Sequence, residues 1–105
     1  MLVEDHLVAT HLYRIAQEAI SNAVKHGKAR QVLIRLQAAR QRIVLMVKDD
    51  GVGLPKVLPE KRGMGLRIMQ YRAGMIGGTL VIQKDLDCGT SVICSIDSKG
   101  AQKRA

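Results

Sequence analysis

Residues 31–49, QVLIRLQAARQRIVLMVKD, hold two alternating runs with only three residues between them. In the first, Val32, Ile34 and Leu36 face one way and Leu33 and Arg35 the other; in the second, Ile43, Leu45 and Val47 share a face. Alternation with a period of two belongs to a half-buried strand. Strands joined by so short a turn must run antiparallel, so the pattern predicts a hairpin over 31–38 and 42–49, although Ala39-Arg40-Gln41 lacks the Asn-Gly signal. Residues 79–83 and 90–96 predict a second pair of strands, with Asp85–Gly89 turning the chain between them.

Each hairpin follows a stretch of helical period. Leu12, Ile15, Ala16, Ala19, Ala23 and Val24 predict a helix over about 9–26, with Thr10 or Asp5 as its cap and Gly27 as its stop. Leu66, Met69, Ala73 and Ile76 predict a second helix from Met64 to the Gly77-Gly78 pair. Between them, residues 49–62 carry Gly51, Gly53, Pro55 and Pro59 among charged residues and predict a loop. The order helix, strand, strand, loop, helix, strand, strand predicts an α+β fold. It is a two-layer α/β sandwich, with helices on one face of a mixed, mostly antiparallel sheet, in a single domain over residues 1–105.

Tyr13 and Tyr71 are the only aromatic residues of the 105, so the core must be aliphatic. The formal charge of +8 admits nucleic acid, anionic surfaces or phosphate ligands as partners. There is no aromatic platform for stacking bases and no DNA-reading motif, so nucleic acid is not expected. The basic tail, 97–105, reads as a solvated end. Cys88 and Cys94 fit no metal or redox spacing and suit a reducing, cytoplasmic setting. No signal peptide and no membrane-length apolar run appears, so membrane contact is not expected and any anchor of a larger parent lies outside this sequence.

A polar ladder runs beside the apolar stripe of the first helix. At about 100° per residue, with Leu12 at zero, Asn22 falls near 280°, His26 near 320° and Glu18 near 240°. These residues therefore line the rim of the buried face. An amide and a carboxylate one turn apart suit a hydrated Mg²⁺, which takes oxygen ligands and keeps several waters. The alternative is a solvated edge in which Arg14 pairs with Glu18.

Three further motifs are each ambiguous alone. In DDGVGLP, residues 49–55, Asp49 ends a strand and offers a fixed acceptor for an exocyclic amino group such as adenine's, while Gly51 and Gly53 let a ligand approach the backbone; an ordinary Asp-Gly turn has the same sequence. In GMGLRIM, residues 63–69, two glycines lead into a helix whose free N–H groups and dipole suit an anion. It is neither a Walker A loop nor a dinucleotide fingerprint, and a flexible helix start is its other reading. In CGTSVICSI, residues 88–96, Thr90 opens the last strand, either as a simple β-branched starter or as a hydroxyl that bonds a ligand directly or through water.

Taken in succession, LYRIAQEAISNAVKHG, DDGVG, GMGLRIM and GTSV resemble the N, G1, G2 and terminal Gly-Thr boxes of the GHKL ATPase superfamily, whose sandwich is the Bergerat fold. The chain is most similar to catalytic ATP-binding domains of sensor histidine kinases of the nitrate-sensor/DesK-like group, through Y-R-I-x-Q-E-A-x-x-N-A-x-K-H and the stretch Met69–Leu80. The resemblance covers about Leu12 to Ile96 and implies ATP and Mg²⁺ as ligands. It implies that Asn22 holds Mg²⁺ on the phosphates, that Glu18 is a general base or orienting group near the γ-phosphate, and that Lys25 and His26 approach phosphates or ribose. Asp49 would accept the adenine amino group with Thr90 supporting it through a shared water, and Gly51 and Gly53 would pass close to the base. Residues 54–62 would form the ATP lid, and Gly63 and Gly65 would bring the Leu66 helix N-terminus to the phosphates.

The resemblance further implies phosphoryl transfer to a His on a separate helical dimerisation domain, and an indirect response-regulator partner. That domain is not expected here: His6 lacks the following acidic residue of a phosphoacceptor and His11 begins the first helix. Asp50 stands where the family more often has Asn. Two alternatives share these boxes: a serine kinase of the anti-sigma-factor type, and a non-catalytic module in which nucleotide controls docking of a partner.

Overall fold

The structure is a computed structural model that describes residues 6–25, 27–39, 41–51, 60–85 and 89–97, with the backbone only for residues 60–64. The element order is α1 (His6–Lys25), β1 (Val32–Ala39), β2 (Arg42–Asp49), α2 (Glu60–Met75), β3 (Gly78–Lys84) and β4 (Thr90–Asp97). The strands form one sheet in the order β1-β2-β4-β3. The expected sequence of elements and the two hairpins are all present. The sheet was expected to be mixed; among the described residues every pairing is antiparallel. The two hairpins meet through β2 and β4, where Val47 pairs with Val92 and Leu45 with Cys94.

α1 starts three residues before the position expected from Leu12, because Val8 extends the same stripe. Val8, Leu12, Ile15, Ala19 and Ala23 are all buried, so one face of the helix carries the packing. Thr10 therefore lies inside the helix and does not cap it. At the other end the Gly27 N–H donates to the Asn22 carbonyl at 3.0 Å and the Ala29 N–H to the Ala23 carbonyl at 2.9 Å. These bonds satisfy carbonyls that a helix end leaves free. The left-handed residue of this exit is Lys28, with φ of 53°, and not Gly27.

α2 also starts earlier than expected, at Glu60 and not near Met64. Its buried stripe, Met69 and Ala73 followed by Ile76, is the one the periodicity predicts. Gly77, at φ of 71°, turns the chain into β3. α1 lies mainly over β2 and α2 against β3. The inward residues Ile43, Leu45 and Val47 of β2 and Val92, Cys94 and Ile96 of β4 close an aliphatic core between the layers.

β1 departs from its alternation. Its register, Ile34 to Val47 and Leu36 to Leu45, puts these side chains on the helix-facing side. Yet Ile34 is 50% and Leu36 42% exposed, and of the three only Val32 packs on the core. β1 is an edge strand beyond the span that α1 covers.

Candidate functional site

One end of the sheet gathers the sequence-predicted residues. β2 runs toward Asp49 and β4 away from Thr90; because Lys48 pairs with Ser91, Asp49 and Thr90 come next on neighbouring strands at the same end. Both continue the inward-facing alternation, so they point toward the helices. Thr90 is 7% exposed and Asp49 half-buried. The Asp49 Oδ1 accepts the Gly51 N–H at 2.8 Å, which fixes the carboxylate against its own turn.

The α1 exit reaches the same end. Gly51 is buried, and a Cβ there would run into the Gly27 carbonyl oxygen and lie 3.1 Å from the Asp49 Oδ1. No side chain fits between these two segments of main chain, which is the physical reason for glycine at 51. Gly89, at φ of 87°, brings the start of β4 equally close to the Asp49 carbonyl. Three segments, at Gly27, Asp49–Gly51 and Gly89, are thus stacked main chain on main chain.

Glu18 and Asn22, one turn apart on α1, are half-buried, and Lys25 is exposed in its last turn. Glu18 faces α2: a Cβ on Gly65 would collide with its Oε1, and its Cδ lies 3.2 Å from that position. The expected lead-in of Gly63 and Gly65 to a helix start at Leu66 is corrected. Both glycines lie inside α2, and the main-chain N–H groups without a helical partner are those of about its first four residues. Gly63 is the last of these; Gly65 and Leu66 lie beyond them. Leu66 instead packs on the core. Residues 60–62 of the segment expected to form the lid are helical. His26, Gly53 and residues 54–59 lie outside the described residues, as does the tail after Asp97.

Two features escaped the sequence reading. Asp50 Oδ1 accepts the N–H groups of Arg30 at 2.8 Å and Gln31 at 2.9 Å. Those bonds, Gln31 first, hold its carboxyl below the ordinary carboxylate value. Ser91 donates to both oxygens of Asp85, at 3.0 and 3.1 Å, closing the turn that leads into β4. A cleft of about 450 Å³ at the opposite end of the sheet, lined by Arg42, Thr79, Ser95 and Asp97 among others, contains none of the predicted residues.

The sequence profile described as histidine kinase-, DNA gyrase B-, and HSP90-like ATPase matches residues 7–100. The chain belongs to this ATPase family. Within the family it is 33% identical over 88 residues, 81% of this chain and 23% of the relative, to the signal transduction histidine-protein kinase/phosphatase DegS of Bacillus subtilis. It is 35% identical over 92 residues, 88% of this chain and 15% of the relative, to the nitrate/nitrite sensor protein NarX of Escherichia coli. The chain therefore spans less than a quarter of the length of these relatives. The crystal structure of the ATP-binding domain of PrrB from Mycobacterium tuberculosis superposes with a TM-score of 0.70 at 26% identity, covering 84% of this chain and 67% of that one. The two-layer sandwich of this family member is thus that of a histidine kinase ATP-binding domain. No described helix is long and apolar enough to cross a membrane.

Proposed function

We propose that the chain is the ATP-binding catalytic domain of a two-component sensor histidine kinase, working in the cytoplasm. The observation that carries this reading is the convergence at one sheet end of the Asp49 carboxylate, the buried Thr90 hydroxyl and the α1 exit behind Asn22. Adenine would seat at Asp49, its amino group donating to the carboxylate, with Thr90 holding a water between them. The triphosphate would extend along α1 and α2, where Asn22 and Glu18 line the helix rim.

Mg²⁺ fits this donor set. Among the described residues no group of three or more His, Cys, Asp or Glu side chains forms a protein-only cage. Mg²⁺ at a phosphate site uses one or two protein oxygens and takes the rest from phosphate and water. The Asn22 amide oxygen supplies such a ligand, and the ion would neutralise charge on the phosphates. Glu18 would orient the incoming imidazole or hold its proton. The reaction forms a bond between a His nitrogen and the γ-phosphorus and breaks the bond to the β,γ-bridging oxygen, releasing ADP. Positioning and charge neutralisation supply most of the acceleration in such transfers. The acceptor His would come from a helical dimerisation domain of the same kinase, and a response regulator would take the phosphoryl group afterwards.

The test is a calorimetric titration of ATP and GTP with and without Mg²⁺, on the wild type and on Asp49→Ala. Selective, Mg²⁺-dependent ATP binding that weakens in the variant is expected. Unchanged ATP affinity in Asp49→Ala refutes the adenine assignment. In the full kinase Asn22→Ala is expected to abolish autophosphorylation.

A further inference from the structure

The most informative group outside the roles above sits one residue past Asp49. Asp50 is exposed, yet its Oδ1 accepts two main-chain N–H bonds, from Arg30 at 2.8 Å and Gln31 at 2.9 Å. Its own N–H donates to the Gln31 carbonyl at 3.3 Å. Three hydrogen bonds therefore tie the exit of β2 to the connection between α1 and β1. That connection is conformationally demanding, because Lys28 holds a left-handed φ of 53°. A non-glycine residue stays in this region only when its surroundings hold it there.

The same connection carries Gly27, which backs directly onto Gly51. The Gly51 N–H in turn fixes the Asp49 Oδ1 at 2.8 Å. A continuous series of contacts thus runs from the Asp50 carboxylate, through the 27–31 main chain and Gly51, to the Asp49 carboxylate. We propose that Asp50 is a positioning residue for adenine recognition: by clamping Arg30 and Gln31 to the end of β2, it seats Gly27 against Gly51 and so aims Asp49. This rests on the adenine role given to Asp49. Charge-assisted N–H bonds are shorter and stronger than neutral ones, so a carboxylate is a firm clamp. An amide oxygen is an acceptor in the same place, whereas a methyl group is not, so Asn is expected to replace Asp50 and Ala is not.

The experiment compares ATP with inosine triphosphate, which lacks the exocyclic amino group, by calorimetry on the 105-residue chain. A loss of folded protein lowers both affinities alike, so the ratio of the two dissociation constants reports only on the aim of Asp49. The wild type is expected to prefer ATP. Asp50→Ala is expected to bind ATP about tenfold more weakly, on the scale of a lost hydrogen-bond set, with the ratio falling toward one. Asp50→Asn is expected to keep both affinity and ratio. Asp50→Ala with a wild-type ratio overturns the inference, and so does Asp50→Asn that loses the ratio. If circular dichroism shows Asp50→Ala unfolded, Asp50→Ser replaces it; its short hydroxyl reaches at most one N–H, an intermediate ratio is expected, and an unchanged one overturns the inference. A wild type without preference for ATP sinks the adenine role of Asp49 itself, and the positioning role with it.

Discussion

Gly65 of α2 and Glu18 of α1 share one volume: a Cβ on the glycine would occupy the place of the carboxylate Oε1. The side chain proposed to act near the γ-phosphate thus packs directly against α2 at Gly65. The colliding atom is the far end of a flexible side chain, so Gly65→Ala is expected to move Glu18 and leave the backbone in place. Alanine also improves helix propensity by about 1 kcal/mol over glycine. The melting temperature should hold or rise slightly, while autophosphorylation of the assembled kinase falls at least about tenfold, as for a lost proton-transfer or orienting group. Thermal melts alongside a radiolabelled phosphate assay measure both. Wild-type activity in Gly65→Ala would mean that Glu18 need not keep its present place.

Lys28 offers a separate test of the α1 exit. Left-handed backbone costs a non-glycine residue roughly 1–2 kcal/mol, whereas glycine gives back about 0.5–1 kcal/mol through the entropy of the unfolded chain. Lys28→Gly is therefore expected to stabilise by about 0.5 kcal/mol, and Lys28→Val, branched at Cβ, to destabilise by at least about 1 kcal/mol. Urea midpoints at constant m-value check the two signs.

Cys94 is fully buried in the β4 core, and burial pushes its thiol up to about 11. The thiolate is the reactive form. Labelling of Cys94 by a maleimide at neutral pH is thus expected only as fast as the chain opens, rising with urea in step with the circular dichroism. Rapid labelling under native conditions would contradict the packing of β4.

The Asp50 carboxyl is held below its ordinary value of 3.8 by the Gln31 and Arg30 N–H groups. A carboxylate depressed in the folded state contributes stability that is present above its unfolded value and is lost as pH falls through the folded one. Wild-type stability is expected to decline as pH drops below about 4, and Asp50→Ala should show a shallower decline over the same range. Parallel acid profiles for the two proteins would exclude this linkage.

β2 was legible to the residue, because Ile43, Leu45 and Val47 alternate on a central strand covered by a helix. β1 shows the limit of that signal. Periodicity says that Ile34 and Leu36 share a side with Val32, but not that a helix covers that side. The start of α2 was missed for a related reason: Gly63 and Gly65 read locally as breakers, while Gly65 is fixed by the Glu18 side chain packed against it from α1. The place of Asp49 at the end of β2 and of Thr90 at the start of β4 was legible from strand alternation and turn residues. The Asp50 clamp was not, since its partners lie nineteen and twenty positions earlier and carry the bond on main-chain atoms that any residue would supply.

The open border of β1 has a practical outcome. A strand paired on one side only among the described residues, with Leu33 and Ile34 each half in water, is adhesive. Concentrated solutions of the chain will tend to zip together along this border, hiding both side chains at once. A single Ile34→Lys exchange puts a charge there and should raise the working solubility without touching Asp49, Thr90 or Asn22.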